Sequence, residues 1–310
     1  MKHKTLNLLI YFIIIFSFIT GNEWIKSENK IIKKHSFKDN HSTYKVFTDS
    51  LHYIISNVSN KNYSTKYSMI LLMNDKGEIE KKIELNNINN QILSGIRLKD
   101  GGFLFSGYSQ LNSDYWNEIY VVKIDKNLNV IWEKNYSSTN YDNKGYSVIE
   151  LNENEYFILG HTKASKNNAL ILKIDGNGNE KWFSYLPDLN CSFATHMINN
   201  KKEEIIIAGQ NSKELFVSKI NTNGQVLWNY SYLNDNHSHR LYEIKNTSDG
   251  GIILVGNTTK NPKKKKDILI IKLSDAGKEE WIETLGNKSS EVAYDIEETK
   301  NLNYIIGGFA

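Results

Sequence analysis

The stretch from Tyr120 to Trp132, YVVKIDKNLNVIW, decides the fold. An almost continuously apolar run ends in Lys123-Ile124-Asp125, a short polar turn follows, and Trp132 stands just inside a second strand-length run. The same text returns as LILKIDGNGNEKW from Leu170, FVSKINTNGQVLW from Phe216 and LIIKLSDAGKEEW from Leu269. Trp132, Trp182, Trp228 and Trp281 are thereby separated by 50, 46 and 53 residues. An earlier copy, ILLMNDKGEIEK from Ile70, carries Lys81 in the tryptophan column.

A second module precedes each copy: HYIISNVS from His52, GFLFSGYS from Gly102, YFILGHT from Tyr156, EIIIAGQ from Glu204 and GIILVGNT from Gly251. YIIGGFA from Tyr304 is a sixth. Its conserved-in-column glycines are Gly107, Gly160, Gly209, Gly256 and Gly308, with Asn57 in the first copy. A period near 50 residues points to a propeller blade, because solenoid repeats are shorter and stack parallel strands.

Each repeat holds four strand-length runs. In the third copy they are Glu155 to His161 (A), Ala169 to Ile174 (B), Glu180 to Tyr185 (C) and Phe193 to Ile198 (D). Asp175-Gly-Asn-Gly-Asn179 between B and C, and Asp100-Gly-Gly102 and Asp249-Gly-Gly251 between D and the next A, read as tight hairpin turns. Neighbouring strands are therefore antiparallel. The B runs, such as Ile268-Leu-Ile-Ile271, are apolar at every position, which requires cover on both faces. The prediction is an all-β fold, a β-propeller of four-stranded antiparallel blades, with five full repeats and a partial sixth. The blades are expected at about 52–98, 102–151, 155–198, 203–245 and 250–298. Residues 22–50 with 303–310 either close a sixth blade or mark a piece of a longer propeller.

The pattern of strand, KID, glycine turn, Trp and glycine-ended apolar strand resembles PQQ-type and related propeller repeats of exported bacterial proteins, over residues 43–309. That resemblance implies the fold. It does not carry the quinone cofactor, because neither a calcium-binding carboxylate nor a base at the disc centre is identifiable, and no cofactor is expected.

The composition agrees with a globular β-protein: 40% hydrophobic and 24% charged residues, 18 Tyr and 19 Gly beside only 2 Pro. A net charge of +3 over 310 residues argues against a nucleic-acid partner. At the start, basic residues to Lys4 and the apolar run Leu6 to Thr20 read as a signal peptide over 1–21, with an uncleaved anchor as the alternative and the only expected membrane contact. The protein is thus expected outside the cytoplasm, secreted or at the periplasm or cell surface, as a monomer. The single Cys191 excludes an internal disulfide framework and reads as a small packed residue.

B–C and D–A turns share one face of such a disc, and A–B and C–D loops share the other. Loops of the second set vary in length, and variable loops on a rigid scaffold are where recognition resides. Tyr115, Trp116, His237 and His239 on those loops are the candidate ligand contacts, although each is also an ordinary loop residue. His237 and His239 lack a third metal ligand nearby, so no metal site is expected. Asp175, Asn177 and Asn179 imitate the first half of a calcium loop, but the rest of that pattern is missing and a hairpin is the better reading. The recurring tryptophans read as packing between blades. With no GxSxG, HExxH or phosphate loop, the reading is a non-catalytic binding scaffold for a protein or glycan. The alternatives are a periplasmic propeller enzyme (hydrolase, lyase or quinoprotein) and an envelope assembly factor.

Overall fold

The computed structural model describes residues 40–48, 52–59, 66–74, 78–85, 89–110, 116–137, 141–163, 168–186, 193–200, 202–211, 213–234, 237–259, 265–287 and 289–309. The expected export segment, Tyr115 and Cys191 lie outside them. Every regular element among the described residues is a β-strand, and none of these residues forms a helix long and apolar enough to cross a membrane. Two compact units divide between Tyr185 and Leu186.

The first unit holds three four-stranded sheets. One is β1 (Asn40–Thr48), β2 (His52–Ser59), β3 (Lys66–Met73) and β4 (Ile79–Leu85). The next is β5 (Gln91–Arg97), β6 (Phe103–Ser109), β7 (Glu118–Ile124) and β8 (Val130–Tyr136), and the third is β9 (Asn143–Asn152), β10 (Glu155–Thr162), β11 (Asn168–Asp175) and β12 (Glu180–Tyr185). The second unit holds β13 (Phe193–Asn199) to β16 (Val226–Leu233), with β14 (Ile205–Gln210) and β15 (Glu214–Ile220) between them. It continues with β17 (Ser238–Asn246), β18 (Ile252–Thr259), β19 (Asp267–Leu273) and β20 (Glu279–Leu285), and with a two-stranded sheet of β21 (Val292–Glu298) and β22 (Tyr304–Phe309). All pairings are antiparallel and sequential, as the hairpin turns require.

The strands match the sequence reading, but their grouping differs. Each sheet runs D-A-B-C: the D strand Phe193–Asn199 pairs with the A strand Ile205–Gln210 that follows it. The blade limits expected at 52–98 and onward are therefore corrected to sheets spanning 40–85, 91–136, 143–185, 193–233 and 238–285. The reason is chain economy. D–A connections are short hairpins such as Thr247 to Gly251, closed by the Thr247 amide on the Gly251 carbonyl, whereas the longer C–D connections lead from one sheet to the next. By the same rule Tyr44 to Asp49, proposed for a closing blade with 303–310, falls largely in β1 and pairs with β2.

Burial follows strand position. The A and B strands of the inner sheets are almost wholly buried, as in β18 and β19, while C strands such as β20 are largely exposed and form the outer edge. Apolar clusters lie between consecutive sheets. Ile119 and Val121 of β7 pack with Val148 of β9, Ile158 of β10 and Leu172 of β11. In the second unit Leu215 and Val217 meet Leu241, Leu254 and Ile271, whose sheet in turn covers Ala293, Ile296 and Ile306 with Val255 and Ile270. Both faces of an inner sheet are thus covered, which is why the B strands carry no polar alternation.

The column glycines answer to one local event. Beside each of them the D strand inserts a β-bulge, the register skipping Leu93, Tyr146, Thr195, Tyr242 and Tyr294, while in the first sheet the skip, at Tyr44, falls one place further on, between the partners Ser56 and Ile55. The bulge swings a D-strand carbonyl over the A strand. A Cβ on Gly256 would lie 2.0 Å from the Arg240 carbonyl oxygen, and one on Gly209 2.0 Å from that of Phe193. Only glycine leaves that space. In the first sheet the position is Asn57, whose amide instead donates to the Ile92 carbonyl at 2.8 Å and whose Oδ1 accepts the Ile92 N–H at 3.0 Å, joining β2 to β5.

Candidate functional site

Three surfaces hold polar or aromatic side chains that the core does not absorb. The first is, within each unit, the set of B–C and D–A turns. Here the lysine of the KID motif lies directly across from the tryptophan: Lys123 opposite Trp132, Lys173 opposite Trp182, Lys219 opposite Trp228 and Lys272 opposite Trp281. These lysines are mostly buried and each meets a carboxylate of the D–A turn. Lys123 reaches Asp100 at 3.5 Å, Lys173 Glu155 at 3.1 Å, Lys219 Glu204 at 2.9 Å and Lys272 Asp249 at 3.0 Å. Lys219 also bonds Asp275 Oδ1 at 2.5 Å and the Asp275 carbonyl at 2.8 Å, in the neighbouring sheet. Burial alone would raise the Asp249 pKa, but bonds from the Thr247 hydroxyl, the Gly251 amide and the Lys272 ammonium hold it down to about 2.

A cleft of about 590 Å³ opens on this face in the second unit, lined by Asn200, Lys202, Asn246, Ser248, Asp249 and Asp275 among others. Its walls are tied to one another. Lys202 pairs with Asp275 at 2.7 Å, Asn246 Nδ2 donates to the Asn199 carbonyl at 2.7 Å, and the Ser248 amide donates to Glu298 at 2.6 Å. The hairpin at Asp175 is of the same self-contained kind. Asp175 Oδ1 accepts the amides of Asn177 and Asn179 at 2.9 and 2.8 Å, and Oδ2 accepts Asn179 Nδ2 at 3.1 Å, so the calcium-like spacing caps a turn.

The second set is the A–B and C–D loops expected to bind, taken in each unit by itself. Trp116 stands there, 46% exposed, in the first unit. The next residue fixes its loop: the Asn117 backbone amide and Nδ2 both donate to Asp142 Oδ1, at 3.0 and 2.9 Å, and Lys163 pairs with the same carboxylate at 3.0 Å. His237 and His239 belong to the second unit and lie together with rings parallel and 6.1 Å apart. His239 corrects the expectation of a surface contact, for it is only 5% exposed. Strand alternation turns position 239 inward beside Leu241, and its ring rests 5.0 Å from that of Tyr232. Desolvation, aided by His237, lowers its pKa to about 4, so the imidazole is neutral at physiological pH. Among the described residues no group of three or more His, Cys, Asp or Glu is placed to hold a metal ion.

The third surface was not anticipated. In the second unit the bulged tyrosines Tyr242 and Tyr294 of the D strands stand with Arg240 of β17 and Phe309 of the A strand β22. Tyr242 is half-buried, and its ring centre lies 5.2 Å from the Arg240 guanidinium and 4.9 Å, edge to face, from the Tyr294 ring. Tyr294 is 47% exposed and Phe309, 6.0 Å from it, is 41% exposed. Asn257 Nδ2 reaches the Tyr242 hydroxyl at 3.4 Å. Glu243 and Asp295, next along each bulge, accept the following backbone amide at 3.0 and 2.8 Å. Below them Lys245 pairs with Asp295 at 3.2 Å and with Glu297. The sequence did carry a signal for this row: the column Gly-Tyr-x-Val (Gly145 to Val148), Leu-Tyr-x-Ile (Leu241 to Ile244) and Ala-Tyr-x-Ile (Ala293 to Ile296) recurs in the D strands. Nothing in a linear reading distinguishes a bulged tyrosine from one in regular alternation.

No protein-family model matches the chain, and no curated protein matches it. Among solved structures it is similar to Sqt1 from Chaetomium thermophilum, at 10% identity over 84% of this chain and 64% of that one, with a TM-score of 0.51. The fold is of the β-propeller type. A eukaryotic initiation factor matches with 11% identity over 80% of this chain and 55% of that one, TM-score 0.46. An acylaminoacyl peptidase of Pyrococcus horikoshii matches with 13% identity over 83% and 41%, TM-score 0.49. The chain spans about half the length of these last two structures.

Proposed function

We propose that this propeller-type chain is a non-catalytic binding scaffold for a protein or glycan, exported from the cytoplasm. One observation carries the reading: the recurring polar residues are consumed by the scaffold, while aromatic and cationic side chains outside those columns, Trp116 and Arg240 among them, stand exposed. Trp132, Trp228, Lys219 and Lys272 all bond to turns or carboxylates that hold the sheets. Trp116 and Arg240 face solvent instead. The apolar run Leu6 to Thr20 and the resemblance of the repeat to those of exported bacterial propellers support the location.

The test has two readouts on the purified protein. Ester, peptide and glycoside substrates should show no turnover above buffer, and fractionation of cells expressing the full chain should place it beyond the inner membrane. Turnover that disappears with a single carboxylate or histidine substitution, without loss of folding, would replace the scaffold by an enzyme.

A further inference from the structure

We infer that β16 is a self-association edge, along which a second copy of this chain adds its own β16, antiparallel across a two-fold axis, to make a dimer rather than the expected monomer. This concerns assembly and holds whichever ligand the scaffold takes. β16 ends its sheet, in the order β13-β14-β15-β16, and among the described residues it pairs only with β15. Its other side therefore offers backbone N–H and C=O groups to a further strand. The remaining outer strands share that exposure but are guarded by charge. β8 carries Glu133 and Lys134, β12 carries Glu180 and Lys181, and β4 and β20 read IEKKIEL and EEWIETL. β16, VLWNYSYL, has no charged residue in its eight. Charges are how sheet edges resist pairing, and this edge lacks them.

The strand is also complementary to itself. Its residues alternate between half-buried and exposed along the whole length. The exposed set is Leu227, Asn229, Ser231 and Leu233, and the two leucines at its ends are 49% and 57% exposed. The half-buried set faces the next sheet, where the Trp228 indole donates to the Asp275 carbonyl and the Tyr230 hydroxyl to the Glu279 carboxylate. Antiparallel pairing centred on Tyr230 sets each copy's Leu227 against the other's Leu233, Asn229 against Ser231 and Trp228 against Tyr232. Residues directly opposite in such a pair share a face, so apolar meets apolar, polar meets polar and aromatic meets aromatic. The register skip at Leu227 bends one end only and leaves Trp228 to Leu233 in unbroken register with β15. A foreign strand would have to be matched to this row, whereas a second copy matches it by symmetry.

The experiment is sedimentation velocity of the purified full chain. Between about 1 and 100 µM, monomer should give way to dimer, with a Kd nearly unchanged from about 0.05 to 0.5 M salt because no ion pair forms. Leu233→Lys, which gives β16 the guard its counterparts have, should raise that Kd by about tenfold or more, and Leu227→Lys should weaken the dimer in the same direction. An equimolar mixture of Leu227→Lys with Leu233→Glu should bring the Kd back to within about threefold of the parent, since one end of the interface then holds a Lys–Glu pair and the other the original leucines. Both leucines are exposed, so these changes spare the fold, and circular dichroism of each variant checks that. Monomer at every concentration overturns the proposal, and so does a dimer indifferent to Leu233→Lys, whose contact must lie elsewhere. A photo-crosslinker in place of Ser231 that captures a different protein while no dimer forms overturns self-pairing and leaves the binding scaffold standing.

Discussion

The indole Nε1 of Trp132 donates to the carbonyl oxygen of Gly176 across 2.9 Å, and the same ring lies 3.1 Å from where a Cβ on Gly178 would stand. Trp132 belongs to the outer strand of one sheet and Gly176 to the B–C hairpin of the next. Trp228 repeats the bond to the Asp275 carbonyl at 3.2 Å, over Gly277. The recurring tryptophan is therefore a clasp between consecutive sheets, half-buried at the turn face, and not the centre of the core. The first sheet lacks the indole and keeps the bond: Lys81 Nζ donates to the Asn127 carbonyl at 2.5 Å.

Removing a clasp should loosen two sheets together. Trp132→Ala is expected to cost about 2 to 3 kcal/mol in urea unfolding, less than for a fully buried tryptophan because the ring is half-exposed. Lys81→Ala loses one hydrogen bond and little buried surface, so its cost should stay below about 1 kcal/mol. Equal costs for the two would contradict the clasp.

The column glycines should be far less tolerant than the turn glycines. In Gly256→Ala the new Cβ meets a backbone carbonyl 2.0 Å away, which no rotamer change relieves, and the expected loss is about 3 kcal/mol or more. Gly250→Ala faces open space but sits at φ +86°, where the left-handed backbone alone costs about 1 to 2 kcal/mol. Denaturation midpoints should rank the two variants in that order.

Asp249 makes stability fall in acid. Its folded pKa is about 2, below the unfolded carboxyl value near 4, so the unfolded chain binds the extra proton between those limits. Stability from the Asp249–Lys272 pair is present above about pH 4 and is lost as pH falls toward 2. Asp249→Asn should flatten that part of a plot of unfolding midpoint against pH.

Two histidines act in a higher window. Burial lowers the pKa of His196 to about 4, despite its bond to the Tyr242 carbonyl, and lowers that of His239 likewise. Both are neutral when folded, while the unfolded chain protonates them below about pH 6.5. Stability should therefore decline from pH 6.5 to 4, with a slope approaching about 1.4 kcal/mol per pH unit for each imidazole. His239→Phe should reduce that slope, and the imidazole proton resonances of His196 and His239 should not titrate above pH 5.

Much of the architecture was legible because it repeats. The KID and tryptophan columns, the glycine turns and the doubly apolar B runs prescribe antiparallel hairpins, and residues Glu180 to Tyr185 form the expected C strand without change. Less of the candidate site was legible. Trp116 is exposed as expected, but His239 is turned inward and the Tyr242–Tyr294–Phe309 row went unnoticed. Burial at position 239 depends on Tyr232 of the preceding strand, and no residue near it in the chain records that contact.

Strand identity, direction and period are written along the chain, since alternation, turn chemistry and recurrence are local properties. Which strands share a sheet, why the column glycines cannot carry a side chain, and which tyrosines face outward are visible in the folded chain alone. The first follows from the short D–A hairpins, and the other two from a bulge that shifts D-strand register by one residue and turns side chains to the opposite face without altering the letters that encode them.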